Sequence, residues 1–259
     1  MATQAAPGFR RETLNVNGVE VVMLTAGSGE PLVFFHGAGT WHGFDFALPW
    51  ASRYRVIIPY HPGWGESGDA PEMTSVQGYM LHYLEMFDQL GLEQVNLAGL
   101  SMGGRFAATF AINYGHRIRK LALICPAGLI VPGHPMADLS KVAPEELPKY
   151  LIHDFSKIAH HLPKGPDAAF QAAREREWQS MGRMIQAGLV GPWLERWLHR
   201  IKIPTLIVWG DQDRIIPVKS ADAWAKLIAG STVLRVPDAG HLVLDDKPET
   251  AEAIARFFS

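Results

Sequence analysis

The chain has 259 residues, 47% of them hydrophobic and 19% charged, with 24 Lys+Arg against 26 Asp+Glu. That is ample apolar material for a large core, and too even a charge balance for a nucleic-acid footprint. The single cysteine, Cys125, excludes an internal disulfide, and no apolar run nears the roughly 20 residues of a membrane span. One large α/β domain with an inserted piece fits this length. Residues 1–7 show no apolar export segment, so a cytoplasmic protein with neither membrane nor nucleic-acid partner is expected.

In chain order, residues 14–24 alternate around Asn17-Gly18, a two-residue hairpin signal. Leu32-Val33-Phe34-Phe35 and Val56-Ile57-Ile58 are continuous apolar runs, as in strands buried on both faces. Residues 74–90 repeat Val76, Met80, Tyr83, Leu84, Phe87 and Leu90 at helical spacing, and Gly91 stops the run. Further strands are read at 95–98, 121–124, 206–209 and 233–236, with a helix after residue 102 and a last helix over about 248–258. Strands alternating with helices predict a mostly parallel, eight-stranded sheet covered on both faces. Residues 126–200 contain helical patterns, prolines and charged clusters such as Arg174-Glu175-Arg176-Glu177, and no strand. They are read as a helical insertion over the carboxyl ends of the strands, where open sheets bind ligands. The core is then residues 1–125 and 201–259.

Gly99-Leu100-Ser101-Met102-Gly103-Gly104 lies at a strand-to-helix junction. A serine between small residues at such a turn is held in a strained backbone that lifts its oxygen clear of the sheet. A serine hydroxyl is a weak nucleophile and needs a base, which a carboxylate must orient. In the chain order Ser, acid, His, the base falls on His241, in the loop after strand 233–236. His82 lies on the helix before the Ser101 turn and His116 follows the helix after it; His153, His160, His161 and His199 lie in the insertion, where a solvated face explains them. No pair shows ligand spacing beside a carboxylate, so no metal is expected. The acid is Asp211 or Asp213, both after strand 206–209; strand 121–124 ends in Cys125-Pro126-Ala127-Gly128, without a carboxylate. An oxyanion intermediate calls for amide donors. The Met102 amide and Ala38, in the loop His36-Gly37-Ala38-Gly39, are the candidates.

Five separated pieces agree: His36-Gly37-Ala38-Gly39, Pro62-Gly63-Trp64-Gly65-Glu66-Ser67-Gly68, the Ser101 turn, residues 210–217 and Gly240-His241. Together they resemble the α/β-hydrolase superfamily. In that family's G-x-x-D segment the acid stands three residues after the glycine, which implies Asp213 rather than Asp211. The resemblance also implies that residues 126–200 form a lid. It is nearest to lidded esterases and to the carbon–carbon bond hydrolases of aromatic ring degradation. The latter often carry a tryptophan after the catalytic histidine and an arginine reaching in from the lid; here Leu242 follows His241. Epoxide hydrolases and haloalkane dehalogenases of this fold carry aspartate where Ser101 stands. The expectation is a carboxylic ester hydrolase acting through Ser101, Asp213 and His241, with Ala38 and Met102 amides holding the oxyanion. Carbon–carbon cleavage of a ring-fission diketone, or a ligand-binding receptor on the same fold, is the alternative. Trp41, Arg105, Trp178 and Trp193 are candidates to touch the substrate, a small molecule. No cofactor is expected, and the chain is a monomer or homodimer.

Overall fold

Asn17 and Gly18 have φ of 51° and 91°, the left-handed pair a two-residue hairpin turn requires. The hairpin they close extends beyond residues 14–24: β1 (Arg10–Val16) pairs antiparallel with β2 (Val19–Ala26), from Val16 opposite Val19 out to Arg10 opposite Thr25. The computed structural model describes residues 8–143 and 146–259; the N-terminal stretch read for an export segment lies outside them.

Six more strands follow: β3 (Glu30–Phe35), β4 (Tyr54–Pro59), β5 (Val95–Leu100), β6 (Ile118–Ile124), β7 (Thr205–Gly210) and β8 (Thr232–Val236). One eight-stranded sheet results, in the order β1-β2-β4-β3-β5-β6-β7-β8. The pairings β1–β2 and β2–β4 are antiparallel, and every pairing from β4–β3 to β7–β8 is parallel. Parallel neighbours need crossover connections, which place helices on the sheet faces. Leu32, Val33, Phe34 and Phe35 are accordingly all buried, with no alternation.

The principal helices are α1 (Val76–Gln89) and α2 (Met102–Tyr114). Ser75 caps α1 by accepting from Gly78 N, and Gly91, at φ 64°, ends it. The two helices meet through Tyr79 on Phe106 (ring centroids 5.1 Å) and Phe87 on Phe110 (4.9 Å). Between β6 and β7 the chain forms α3 (Leu147–Leu151), α4 (Ala168–Gln186) and α5 (Pro192–Glu195), joined by short turns and without a strand among the described residues. After β7 come α6 (Ser220–Leu227), then α7 (Val243–Asp246) and α8 (Glu249–Phe258) beyond β8. The sequence reading contained neither α6 nor the 3₁₀ turn Asp45–Ser52, which encloses Pro49 and is tied to α8 by Trp50 Nε1 donating to Ala251 O at 2.7 Å. Both are too short for a helical repeat to stand out. No helix among the described residues is long and apolar enough to cross a membrane.

The inserted segment packs on the carboxyl ends of the strands. Helix α4 rests on the loops after β3 and β4, and the end of α3 rests on the loop after β8, where Leu242 N donates to Leu151 O at 2.8 Å. Ile152, Ile158, Met184, Leu189, Leu194 and Leu198 from this segment are buried in the main core.

Candidate active site

Ser101 stands between β5 and α2 with φ 54° and ψ −114°, a conformation that costs a non-glycine residue about 1–3 kcal/mol. Its neighbours explain why the turn tolerates nothing larger. A Cβ on Gly103 would meet Phe35 O at 2.1 Å, and one on Gly99 would meet Gly103 O at 2.4 Å. Glycine is needed here for space, because the helix start presses directly on the end of β3. Ser101 N donates to Ile124 O at 2.9 Å, and Ala127 N donates to Ser101 O at 3.0 Å, so the turn is also braced by β6. The serine is half-buried.

Geometry separates the two aspartates. Asp211 is exposed, whereas Asp213 is 7% exposed. Asp213 Oδ1 accepts from the amides of Ile215 (2.8 Å) and Ile216 (2.9 Å), and its Oδ2 lies 2.8 Å from His241 Nδ1. A carboxylate thus held can only accept, so Nδ1 of His241 carries a proton and Nε2 is left as the basic atom. His241 is 4% exposed. Cys125 completes the buried group: its thiol, an Asp213 oxygen and a His241 nitrogen lie within 4.8 Å of one another. Burial first, and the nearby Asp213 second, push that thiol's pKa well up, leaving an inert neutral side chain.

The loop after β3 is organised by neutral histidines. Tyr83 Oη donates to His61 Nδ1 (2.6 Å), and His61 Nε2 donates to His36 O (2.9 Å). The His61 amide donates to His36 Nε2 (3.1 Å), and His36 Nδ1 donates to Gly37 O (2.6 Å). Each imidazole is therefore one fixed tautomer. Gly37 O and the Ala38 amide hydrogen belong to one peptide plane, so His36 sets the direction of the Ala38 N–H. Trp64 Nε1 holds the next peptide by donating to Ala38 O at 2.8 Å. The Ala38 amide has no acceptor among the described residues, and the Met102 amide, first in α2, has none within its helix. Burial lowers the His61 pKa to about 3 and that of His36 well below its usual value, so both stay neutral.

Residues that the sequence marks only as a charged cluster, with others it does not mark, fasten the insertion to this loop. Glu177 of α4 is 3% exposed. It accepts from Thr40 Oγ1 (2.5 Å), Gly65 N (3.3 Å) and Arg174 Nη1 (3.1 Å). Ser180 Oγ donates to Gly63 O at 3.1 Å, and Arg176 donates to Gly65 O. On the other side, Asp246 of α7 accepts from Gly240 N (2.7 Å), His153 N (2.8 Å) and Asp154 N (2.8 Å). One carboxylate thereby joins the loop that carries His241 to the inserted segment. The spacing of the buried residues Glu177, Ser180 and Met184 is helical, and that period was the available signal for the face of α4 that docks.

The four residues expected to touch substrate are not gathered into one place. Trp41 folds back over Gly39, with the Arg174 guanidinium 5.6 Å above its ring. Arg105 is 3% exposed and plays a structural part. It donates to Leu189 O (3.1 Å) and Thr109 Oγ1 (3.0 Å), tying α2 to the insertion. Trp193 is 49% exposed beneath Arg105, and Trp178 is 52% exposed on α4. Neither is linked to Ser101 or His241 by a hydrogen bond or ring contact among the described residues.

A sheet with this strand order, a strained serine after its fifth strand and a helical excursion after its sixth is that of an α/β hydrolase. The family model described as the alpha/beta hydrolase fold matches residues 30–248, and the chain belongs to that family of hydrolases. Among its relatives is Lipase 1 of Psychrobacter immobilis, 29% identical over 90% of this chain and 78% of that protein. Another is 2-hydroxy-6-oxo-6-phenylhexa-2,4-dienoate hydrolase of Burkholderia cepacia, 31% identical over 88% of this chain and 85% of that protein. The crystal structure of a membrane phospholipase A superposes with a TM-score of 0.83 at 26% identity, covering 97% of this chain and 86% of that one.

Proposed function

We infer that the protein is a serine hydrolase that cleaves a small-molecule carboxylic ester, with Ser101 as nucleophile, His241 as base and Asp213 as the orienting acid. The observation that carries this reading is the His241 Nδ1 to Asp213 Oδ2 bond of 2.8 Å, buried at the strand ends that follow the Ser101 turn. It leaves Nε2 free to accept a proton. In the acylation step Nε2 takes the Ser101 hydroxyl proton as Oγ bonds to the ester carbon, and the carbonyl electrons move to oxygen. The Ala38 and Met102 amides receive that oxyanion, and each such donor supports on the order of 2.7–4 kcal/mol of catalysis. Collapse of the intermediate breaks the C–O bond, and the alkoxide leaves with the proton from Nε2. Water, deprotonated by the same nitrogen, then releases the acid and restores Ser101. In this reading residues 126–200 are a lid, anchored through Glu177 and Asp246, and no cofactor takes part.

Carbon–carbon hydrolysis of a ring-fission diketone is kept as a second reading by one observation. Arg174 reaches from the insertion to within 5.6 Å of the Trp41 ring, beside Gly39 of the loop that bears Ala38. A lid arginine is what the resemblance to carbon–carbon hydrolases implies, and the Burkholderia relative is named for that reaction. Against it, Glu177 already neutralises Arg174.

The test is covalent labelling with a fluorophosphonate, followed by turnover assays. Labelling of the parent and none of Ser101→Ala supports the nucleophile; a chain that never labels yet binds a small ligand overturns it in favour of a receptor. Hydrolysis of p-nitrophenyl esters supports the ester reading. Turnover of a ring-fission dienoate with the esters untouched replaces it by the carbon–carbon reading.

A further inference from the structure

Away from the candidate triad, three ligand-bearing side chains meet where the insertion crosses the core. Asp45, His160 and His161 each offer one atom, a carboxylate oxygen and two ring nitrogens, and these lie within 4.8 Å of one another. Asp45 opens the 3₁₀ turn after the loop of Trp41, and the two histidines end the turn Ala159–His161 of the insertion. The histidine rings are side by side, with centroids 3.9 Å apart.

Two features suggest that this meeting is more than a crossing of surface side chains. First, the His161 ring is seated on Gly43: a Cβ there would come within 2.9 Å of Cε1 and 3.4 Å of Nδ1. The core backbone, turned by a φ of 71° at Gly43, therefore makes room for this imidazole. Second, a carboxylate with one oxygen unpaired lies behind the adjacent His42. Asp245 is 9% exposed on its side chain; its Oδ1 reaches His42 Nδ1 at 3.3 Å, and its Oδ2 is buried without a partner. A buried carboxylate oxygen left unpaired is costly, and a nearby cation offsets that cost.

We propose that Asp45, His160 and His161 bind a divalent transition-metal ion of the zinc class, which staples the inserted segment to the core. Two imidazoles and one carboxylate are borderline donors that suit Zn²⁺, Co²⁺ or Ni²⁺, whereas Mg²⁺ and Ca²⁺ favour all-oxygen sites. Bonds of about 2.0–2.2 Å place tetrahedral donors within the 4.8 Å that bounds these three atoms, and the exposed Asp45 and His160 side chains are free to adjust to the ion. Water fills the remaining position. The sequence reading expected no metal, because the carboxylate comes from a segment far upstream of the histidines. An ion that binds the folded chain raises its unfolding temperature by mass action, and this effect is independent of what Ser101 does.

The test is a titration of the full-length chain, stripped with chelator, with ZnCl₂, read by calorimetry and by thermal unfolding. The expected result is one saturable micromolar site and, at a hundredfold excess over the dissociation constant, a rise of about 5 °C or more in the midpoint. MgCl₂ should give neither. His160→Ala and Asp45→Asn, both at exposed positions, should weaken binding at least tenfold, with the metal-free midpoint unchanged. His161→Ala should abolish it. Absence of saturable binding below millimolar zinc overturns the proposal. So does binding undiminished in Asp45→Asn and His160→Ala but lost in Cys125→Ser, which would put the ion on the buried group of Cys125, Asp213 and His241.

Discussion

Acidification from pH 8 to pH 5 should destabilise this protein through its buried neutral histidines. Burial lowers the pKa of His61 to about 3 and of His82 to about 4, and it lowers His36 well below its usual value. In the unfolded chain each titrates near 6.5. The folded state therefore refuses a proton that the unfolded state accepts, and stability present above pH 6.5 is lost as pH falls toward the folded values. At pH 5 the unfolded histidines are 1.5 units below their pKa, which at about 1.36 kcal/mol per unit is about 2 kcal/mol for each. His61 and His82 together remove about 4 kcal/mol, a large share of the 5–15 kcal/mol that holds a typical domain, and His36 acts with the same sign. The unfolding midpoint should fall by about 8–16 °C between pH 8 and pH 5. Asp138, held at about 2 by its bonds to Ser140 and Lys141, discharges only far below this window. Circular dichroism melts across the range measure the slope. His82 Nε2 is buried without a partner, so His82→Leu should flatten the slope by about 2 kcal/mol while keeping the Ser101 site intact. A midpoint that stays level from pH 8 to 5, or an unchanged slope in His82→Leu, refutes the assignment of neutral buried histidines.

Asp213→Asn should leave the fold intact, as judged by melting, and lower kcat by about 10⁴ on whichever substrate is turned over, because an amide no longer holds the Nδ1-protonated tautomer of His241; activity within tenfold of the parent excludes Asp213 as the acid. Trp64→Phe removes the bond to Ala38 O and should cost about 1 kcal/mol of stability. The same change should lower kcat about tenfold with KM little altered, since it loosens a donor that in full is worth more; steady-state kinetics decide. Asp246→Ala orphans the amides of Gly240, His153 and Asp154. At about 1–3 kcal/mol for each orphaned amide, reduced by water, the loss should be about 3 kcal/mol, or 6–12 °C in the melt. A shift below about 2 °C in that melt would mean the three bonds are dispensable.

Much of the fold was written in local patterns. Asn17-Gly18 closes the first hairpin, and Gly91 stops the helix that Ser75 caps; the apolar runs at 32–35, 56–58 and 121–124 became strands buried on both faces. Strand order brought the candidates to the Ser101 turn, His241 and the pair Asp211 and Asp213, and left that pair open; the resemblance implied Asp213, the one the structure buries. What could not be read is whatever depends on which distant backbone a side chain meets. Glu177 belongs to a run, Arg174 to Glu177, that reads only as a charged cluster, yet it is buried because Thr40 and Gly65 bring amide and hydroxyl donors to it. Arg105, a candidate substrate contact from its position after Ser101, is covered because Leu189 and Trp193 of the insertion meet it.

The same reasoning explains why the insertion is harder to read than the core. The core strands are selected by hydrophobic burial, which depends on residue type and leaves a periodic trace in the sequence. The insertion buries apolar residues too, among them Ile152, Met184 and Leu194, but its place over the loops is also set by single carboxylates on backbone amides: Glu177 on the loop after β4, and Asp246 on Gly240 and on residues 153 and 154. A backbone amide is present at every position except proline, so such a contact constrains one partner's identity and leaves the other unmarked. These two anchors grip the two loops that the catalytic proposal needs most, the one beside Ala38 and the one that carries His241. A change in the insertion that releases either anchor should therefore be felt at Ser101 without any substitution near it, and a substitution in those loops should loosen the insertion in turn.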